Sequence, residues 1–70
     1  AGIAVLHYLL GCVLQEQDRL ADAEAALRRA LALDPGLAKA RNNLGCLLEA
    51  SGRLEEAIGC FEQAARLDPS

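Results

Sequence analysis

The side chains that could bind a metal or act as a nucleophile are few: Cys12, Cys46, Cys60 and a single histidine, His7. Three cysteines without a CxxC pair do not make a disulfide framework, and they suit a reducing compartment. A zinc site would draw on His7, Cys12 and Cys46, but His7 and Cys12 stand at i and i+5, so on a helix they leave from different faces. Cys12 and Cys46 would lie about 9 Å apart on neighbouring packed helices, beyond the roughly 7 Å between Cα atoms that a disulfide tolerates. All three cysteines therefore read as small apolar packing residues. Catalysis would need acids, bases or nucleophiles converging on one cleft. The carboxylates come instead as Asp22 and Glu24, then Glu55 and Glu56, spread along helix surfaces in first turns, where negative charge favours the helix dipole. No catalytic residue, metal ligand or cofactor is expected, and the chain does not read as an enzyme.

The elements that position these residues occur twice. Leu33-Asp34-Pro35 returns as Leu67-Asp68-Pro69 after 34 residues, and the same offset carries Leu10-Gly11-Cys12 onto Leu44-Gly45-Cys46, Arg19-Leu20 onto Arg53-Leu54, Ala23 onto Ala57 and Ala30 onto Ala64. Apolar periodicity predicts helices over roughly 3–17, 20–33, 38–51 and 54–67. A fixed period of this length, with small residues and a proline in register, indicates an all-α fold of two tandem helix-turn-helix hairpins, a fragment of an α-solenoid. The repeats span about 4–37 and 38–70 of one domain covering 1–70, which reads as a piece of a longer array.

Gly11 and Gly45 fall inside helices, where glycine costs about 1 kcal/mol relative to alanine. Close approach of the second helix, through Ala23 and Ala57, is the expected compensation. Pro35 and Pro69 disfavour α geometry at the preceding Asp and so end the second helices. Gln17-Asp18-Arg19 and Ser51-Gly52-Arg53 form the hairpin turns, with Gly52 suited to a left-handed position and Asp18 a poorer occupant of the same place.

At 70 residues the domain buries only about 60% of its unfolded surface, so its stability is expected to be marginal. The longest apolar stretch, Ile3 to Leu14, is too short for the roughly 20 residues of a bilayer-spanning helix. With a net charge of −3 and Arg28-Arg29 as the sole adjacent basic pair, no surface for nucleic acid is expected. A cytoplasmic location is the matching expectation.

The pattern resembles the tetratricopeptide repeat. Unit one reads His7, Leu10-Gly11, Leu14, Ala23, Leu27, Ala30 and Pro35; unit two reads Arg41, Leu44-Gly45, Leu48, Ala57, Phe61, Ala64 and Pro69. His7 and Arg41 replace the family's first aromatic, and Leu14 and Leu48 its second. The resemblance implies a non-catalytic scaffold that binds a peptide or helix of a partner protein in a concave groove lined by the first helix of each unit. By register those residues are Val5, Tyr8, Leu9, Cys12 and Glu16, then Lys39, Asn42, Asn43, Cys46 and Glu49. The competing reading has Ile3 to Leu9 packing against another unit instead. Two known uses of the fold are not supported: a carboxylate clamp would need Lys and Asn at Tyr8 and Cys12, and an asparagine ladder through Asn43 is broken by Leu9. Ile58, Phe61 and Ala65 on the last helix are expected to form an uncovered apolar strip through which the chain associates as a homodimer. The alternatives to groove binding are therefore a self-assembly module, or a regulatory repeat segment attached to a transferase or another enzyme.

Overall fold

A computed structural model describes residues 2–68. Helix α1 spans Gly2–Glu16, α2 Leu20–Leu33, α3 Ala38–Ala50 and α4 Leu54–Leu67. Consecutive helices pair as hairpins, α1 with α2 and α3 with α4, and α2 packs on α3 to join the two units, with a smaller contact between α1 and α3. The predicted elements are present, with α1 and α3 each ending one residue earlier than expected.

Both hairpin turns close in the same way. The Arg19 N–H donates to the Leu14 carbonyl at 2.9 Å and Asp18 to Gln15 at 3.0 Å; Arg53 donates to Leu48 at 2.8 Å and Gly52 to Glu49 at 3.0 Å. This paired pattern terminates a helix through one left-handed residue. That residue is Asp18 with φ 62° in the first turn and Gly52 with φ 80° in the second. At the end of α2, Asp34 takes φ −144° and ψ 88°, the extended geometry a following proline imposes. Its carboxylate accepts the Gly36 N–H at 3.1 Å and tightens the link to α3. Pro69, the matching proline of unit two, lies outside the described residues.

The core is built from Ala23, Leu27, Ala30 and Leu31 of α2, Ala40, Leu44, Leu47 and Leu48 of α3, and Ala57 of α4. The glycines do allow close approach, but through other partners than expected. A Cβ placed on Gly11 would lie 2.7 Å from Leu27 Cγ, with the Ala23 carbonyl oxygen 3.5 Å away; on Gly45 it would lie 2.8 Å from Phe61 Cε1. Leu27 and Phe61 are equivalent residues, one helical turn beyond Ala23 and Ala57. The absent glycine side chain thus makes room for a large neighbour, while the small alanines let the helix axes come together.

Leu10 and Leu44 hold equivalent places in the two units but are not covered alike. Leu44 is 2% exposed and Leu10 49% exposed. Position 44 sits in the core shared with α2, whereas no helix among the described residues covers the same side of α1.

Candidate interaction surface

The face of α1 and α3 that sequence register marks as concave carries three hollows. Val5, Tyr8 and Leu9 of α1 surround a hollow of about 610 Å³ with Leu37, Lys39 and Leu67. Cys12 and Glu16 line a second, of about 400 Å³, with Asn43 and Cys46. Lys39 and Asn42 border a third, of about 290 Å³, together with Phe61 and Ala65 of α4. Glu49 is exposed near the C-terminal end of α3. Helical spacing explains the grouping: 5, 8, 9, 12 and 16 fall on one side of α1, and 39, 42, 43 and 46 on the matching side of α3.

The two halves of this surface differ in chemistry. On α1 it is apolar over the first turns, with Val5 and Leu9 exposed and Tyr8 half-buried, and carries the exposed carboxylate of Glu16 at its end. Burial, followed by the hydrogen bond with Cys12, pushes the Tyr8 phenol above its ordinary range. On α3 the surface carries an ammonium and two amides. Asn43 donates through Nδ2 to Cys12 Sγ at 3.1 Å, which ties the halves together. Asn43 is therefore partly engaged within the protein, and Asn42 is the more exposed of the two amides. The cysteines Cys12, Cys46 and Cys60 are free thiols, and burial raises the Cys60 thiol above its usual range.

The self-association strip is modified by the structure. Ile58 and Ala65 are exposed, but Phe61 is half-buried with its ring against Gly45. Leu54, which lies on the same side of α4 and was not foreseen as part of the strip, is exposed to the same degree as Ile58. Its position one turn before Ile58 could have revealed it.

An ionic cluster also escaped the sequence reading. Arg53, preceding α4, donates through Nε to Glu56 at 2.7 Å and reaches across to Glu24 of α2 through Nη1 at 2.8 Å. Arg28 Nε binds the other Glu24 oxygen at 2.9 Å, and its Nη2 lies 3.6 Å from Glu56. Burial works to raise the Glu24 carboxyl, but the hydrogen bonds from Arg28 and Arg53 outweigh it and hold the group below its ordinary range. The hydrogen bond from Arg53 likewise lowers Glu56. Unit one repeats only the local part: Arg19 Nη2 binds Asp22 at 2.8 Å. The signal was present in the sequence as an arginine followed three residues later by an acid, twice, 34 residues apart. At the place of Arg41, where a ring is usual, the guanidinium reaches back to the Pro35 carbonyl at 3.3 Å and so braces the link between the units.

Among the described residues, no three His, Cys, Asp or Glu side chains are placed to hold a metal ion, and no helix is long and apolar enough to cross a membrane. Among curated proteins none matches the chain. The family model for the tetratricopeptide repeat matches residues 8–70. Two stacked helical hairpins, the 34-residue period and this match together establish that the chain belongs to the tetratricopeptide repeat family.

Proposed function

We propose that this chain is a non-catalytic scaffold that holds a peptide or helix of a partner protein along its concave surface. Tetratricopeptide repeats generally mediate protein–protein interaction, and the family is typically non-catalytic. The observation that carries the finer reading is the division of the surface into an apolar half on α1 and an amide and ammonium half on α3, joined by the Asn43 to Cys12 hydrogen bond. An extended segment could place apolar side chains against Val5, Tyr8 and Leu9. Its carbonyl groups or a carboxylate would then meet Asn42 and Lys39. Peptides selected from a displayed random library on the immobilised chain provide the test. Binding should fall at least several-fold with Tyr8→Ala and with Asn42→Ala, with the helical circular-dichroism signal unchanged. Selected peptides indifferent to both substitutions would place the binding surface elsewhere.

A second reading, self-association through α4, is favoured by the exposure of Leu54 and Ile58 on one helix face. Ile58→Glu is the appropriate probe, because Phe61 packs on Gly45 and its replacement would disturb the fold as well. Sedimentation over a hundredfold concentration range should show a dimer that Ile58→Glu abolishes. A monomer throughout would remove this reading.

A further inference from the structure

Arg41 puts a charged group on α3 at a place where a ring usually packs. Among the described residues, its Nε is the one buried side-chain nitrogen or oxygen without a hydrogen-bond partner. The guanidinium is held by a bond from Nη2 to the Pro35 carbonyl at 3.3 Å, just beyond the usual range of about 2.7–3.2 Å. Such a group has five N–H donors. Burying part of it without a counter-charge or a full set of acceptors is costly and calls for an explanation.

The surroundings of Arg41 supply one. With Pro35, Gln63, Arg66 and Leu67 it lines a hollow of about 270 Å³ between the α2–α3 link and the second half of α4. Arg19, Arg28 and Arg53 are each paired with a carboxylate. Among the described residues, no carboxylate pairs with Arg41 or Arg66. Two guanidiniums and an amide thus share one hollow whose lining has no negative charge. Its openness does not depend on where the described residues stop. Arg29, Ala32 and Leu33, which hold the places of Gln63, Arg66 and Leu67 in unit one, are exposed although unit two packs after them. Unit one lacks the arrangement, because His7 and Ala32 stand at the places of Arg41 and Arg66.

We propose that Arg41, Gln63 and Arg66 bind the side-chain carboxylate of an acidic residue in a partner protein, at a site separate from the concave surface. The planar fork of a guanidinium matches the two oxygens of a carboxylate, and the Gln63 amide adds a neutral donor. Pro35 and Leu67 flank the charged groups with apolar surface, so an acid next to a leucine fits better than an isolated acid. A phosphate dianion is the rival ligand. Glu56 borders the adjoining hollow together with Arg41, and its charge repels a dianion about twice as strongly as a monoanion.

The Nε–H resonance of Arg41 in the isotope-labelled chain reports on the site directly. The probes are a blocked glutamyl-leucine dipeptide, its glutaminyl-leucine isostere and inorganic phosphate, each titrated at fixed ionic strength against a chloride control. The glutamyl probe should shift the Arg41 and Arg66 resonances along a saturable curve, with a Kd on the order of millimolar. It should also raise the melting temperature, as ligand binding to the folded chain requires. The glutaminyl probe should bind roughly tenfold more weakly, as expected when a charge-assisted bond becomes a neutral one. Arg66→Gln, at an exposed position, should weaken the glutamyl probe by a similar factor with the circular-dichroism signal unchanged, while Lys39→Gln on the concave surface should have no effect. Gln63→Glu sets a carboxylate in the same hollow from within. It should raise the melting temperature of the free chain and remove the response to the probe. The proposal is overturned if the glutamyl probe leaves Arg41 unmoved, if the two dipeptides bind alike, or if Lys39→Gln weakens binding as much as Arg66→Gln. It is equally overturned if binding ignores both Arg66→Gln and Gln63→Glu. Phosphate binding more tightly than the glutamyl probe would overturn the assignment to a carboxylate.

Discussion

Helices α1 and α3 are equivalent in sequence register, yet among the described residues α3 packs on α2 and α4, whereas α1 packs on α2 with only a small contact to α3. Leu44 and Leu47 are buried, while Leu10 and Val13, at the same places, are not. Identical periodicity thus produces a core element in one unit and an exposed apolar stripe in the other. What a repeat's apolar stripe does depends on its neighbour, because a solenoid unit completes its core only against the next one.

The strongest way to break this comparison is to overfill the two glycine positions. Gly11→Leu and Gly45→Leu should each destabilise by more than the roughly 1–3 kcal/mol typical of overpacking, because a Cβ alone already meets a neighbour at 2.7 or 2.8 Å. The smaller change separates the units. Gly11→Ala presses on the Cγ of fully buried Leu27, whereas Gly45→Ala presses on the rim of half-buried Phe61, whose ring has more room to move. Thermal melts should therefore show the larger loss for Gly11→Ala. Equal losses would mean that the two inner helices are held alike.

Leucine truncation addresses the outer sides. Leu44→Ala should cost about 3 kcal/mol, as expected for a buried leucine, while Leu10→Ala should stay within about 0.5 kcal/mol, as for other exposed positions. Denaturant unfolding checks the pair. A comparable cost at both sites would show that α1 is covered in solution, by a second copy or by rearrangement.

The turns offer a gain rather than a loss. Asp18 occupies with φ 62° the left-handed position that Gly52 fills in unit two. Asp18→Gly should therefore stabilise by about 1 kcal/mol, while Gly52→Asp should destabilise by a similar amount. Unchanged melting temperatures for both would show that the turn geometry does not limit stability.

The smallest expected effect belongs to the ionic cluster at the junction. Glu24 and Glu56 titrate below the ordinary value of 4.5 in the folded chain. Their contribution is therefore present in full above that pH and is lost as pH falls through the lowered folded values. Glu56 is half exposed and Glu24 half-buried at the rim of the junction, so the effect is modest and screened by salt. Melting temperature between pH 6 and pH 3 should fall less for Glu24→Gln than for the parent. An equal fall would remove the cluster from the account of the junction.

Much of this architecture was legible in the residues. The recurring Leu-Gly and Leu-Asp-Pro triplets give the period, and the period gives the hairpins, since a repeated apolar stripe with a proline at fixed spacing leaves few other ways to bury it. Side-chain partners were less legible. Gly11 and Gly45 announced a close approach, but whether Ala23 or Leu27 fills the space depends on a helix rotation that spacing alone does not specify. The difference between Leu10 and Leu44 was hidden for a related reason: helical periodicity reports which side a residue is on, and only tertiary packing decides whether that side is covered. The grouping of Tyr8, Cys12 and Asn43 was accessible from register, whereas the hydrogen bond between Asn43 and Cys12 was not. The reach of Arg53 across to Glu24 spans 29 residues and needs the packed junction to exist.

The central claim is that, among the described residues, α3 is held on two sides and α1 on one, so that equivalent stripes are buried in unit two and exposed in unit one. Native-state amide hydrogen exchange tests it most directly, because local opening free energies follow burial and packing. The slowest exchange should occur around Leu27 and Ala30 of α2 and Leu44, Leu47 and Leu48 of α3. The first two turns of α1 should exchange orders of magnitude faster. Protection of Leu6, Leu10 and Val13 equal to that of Ala40, Leu44 and Leu47 would contradict the claim and show that the face is already occupied.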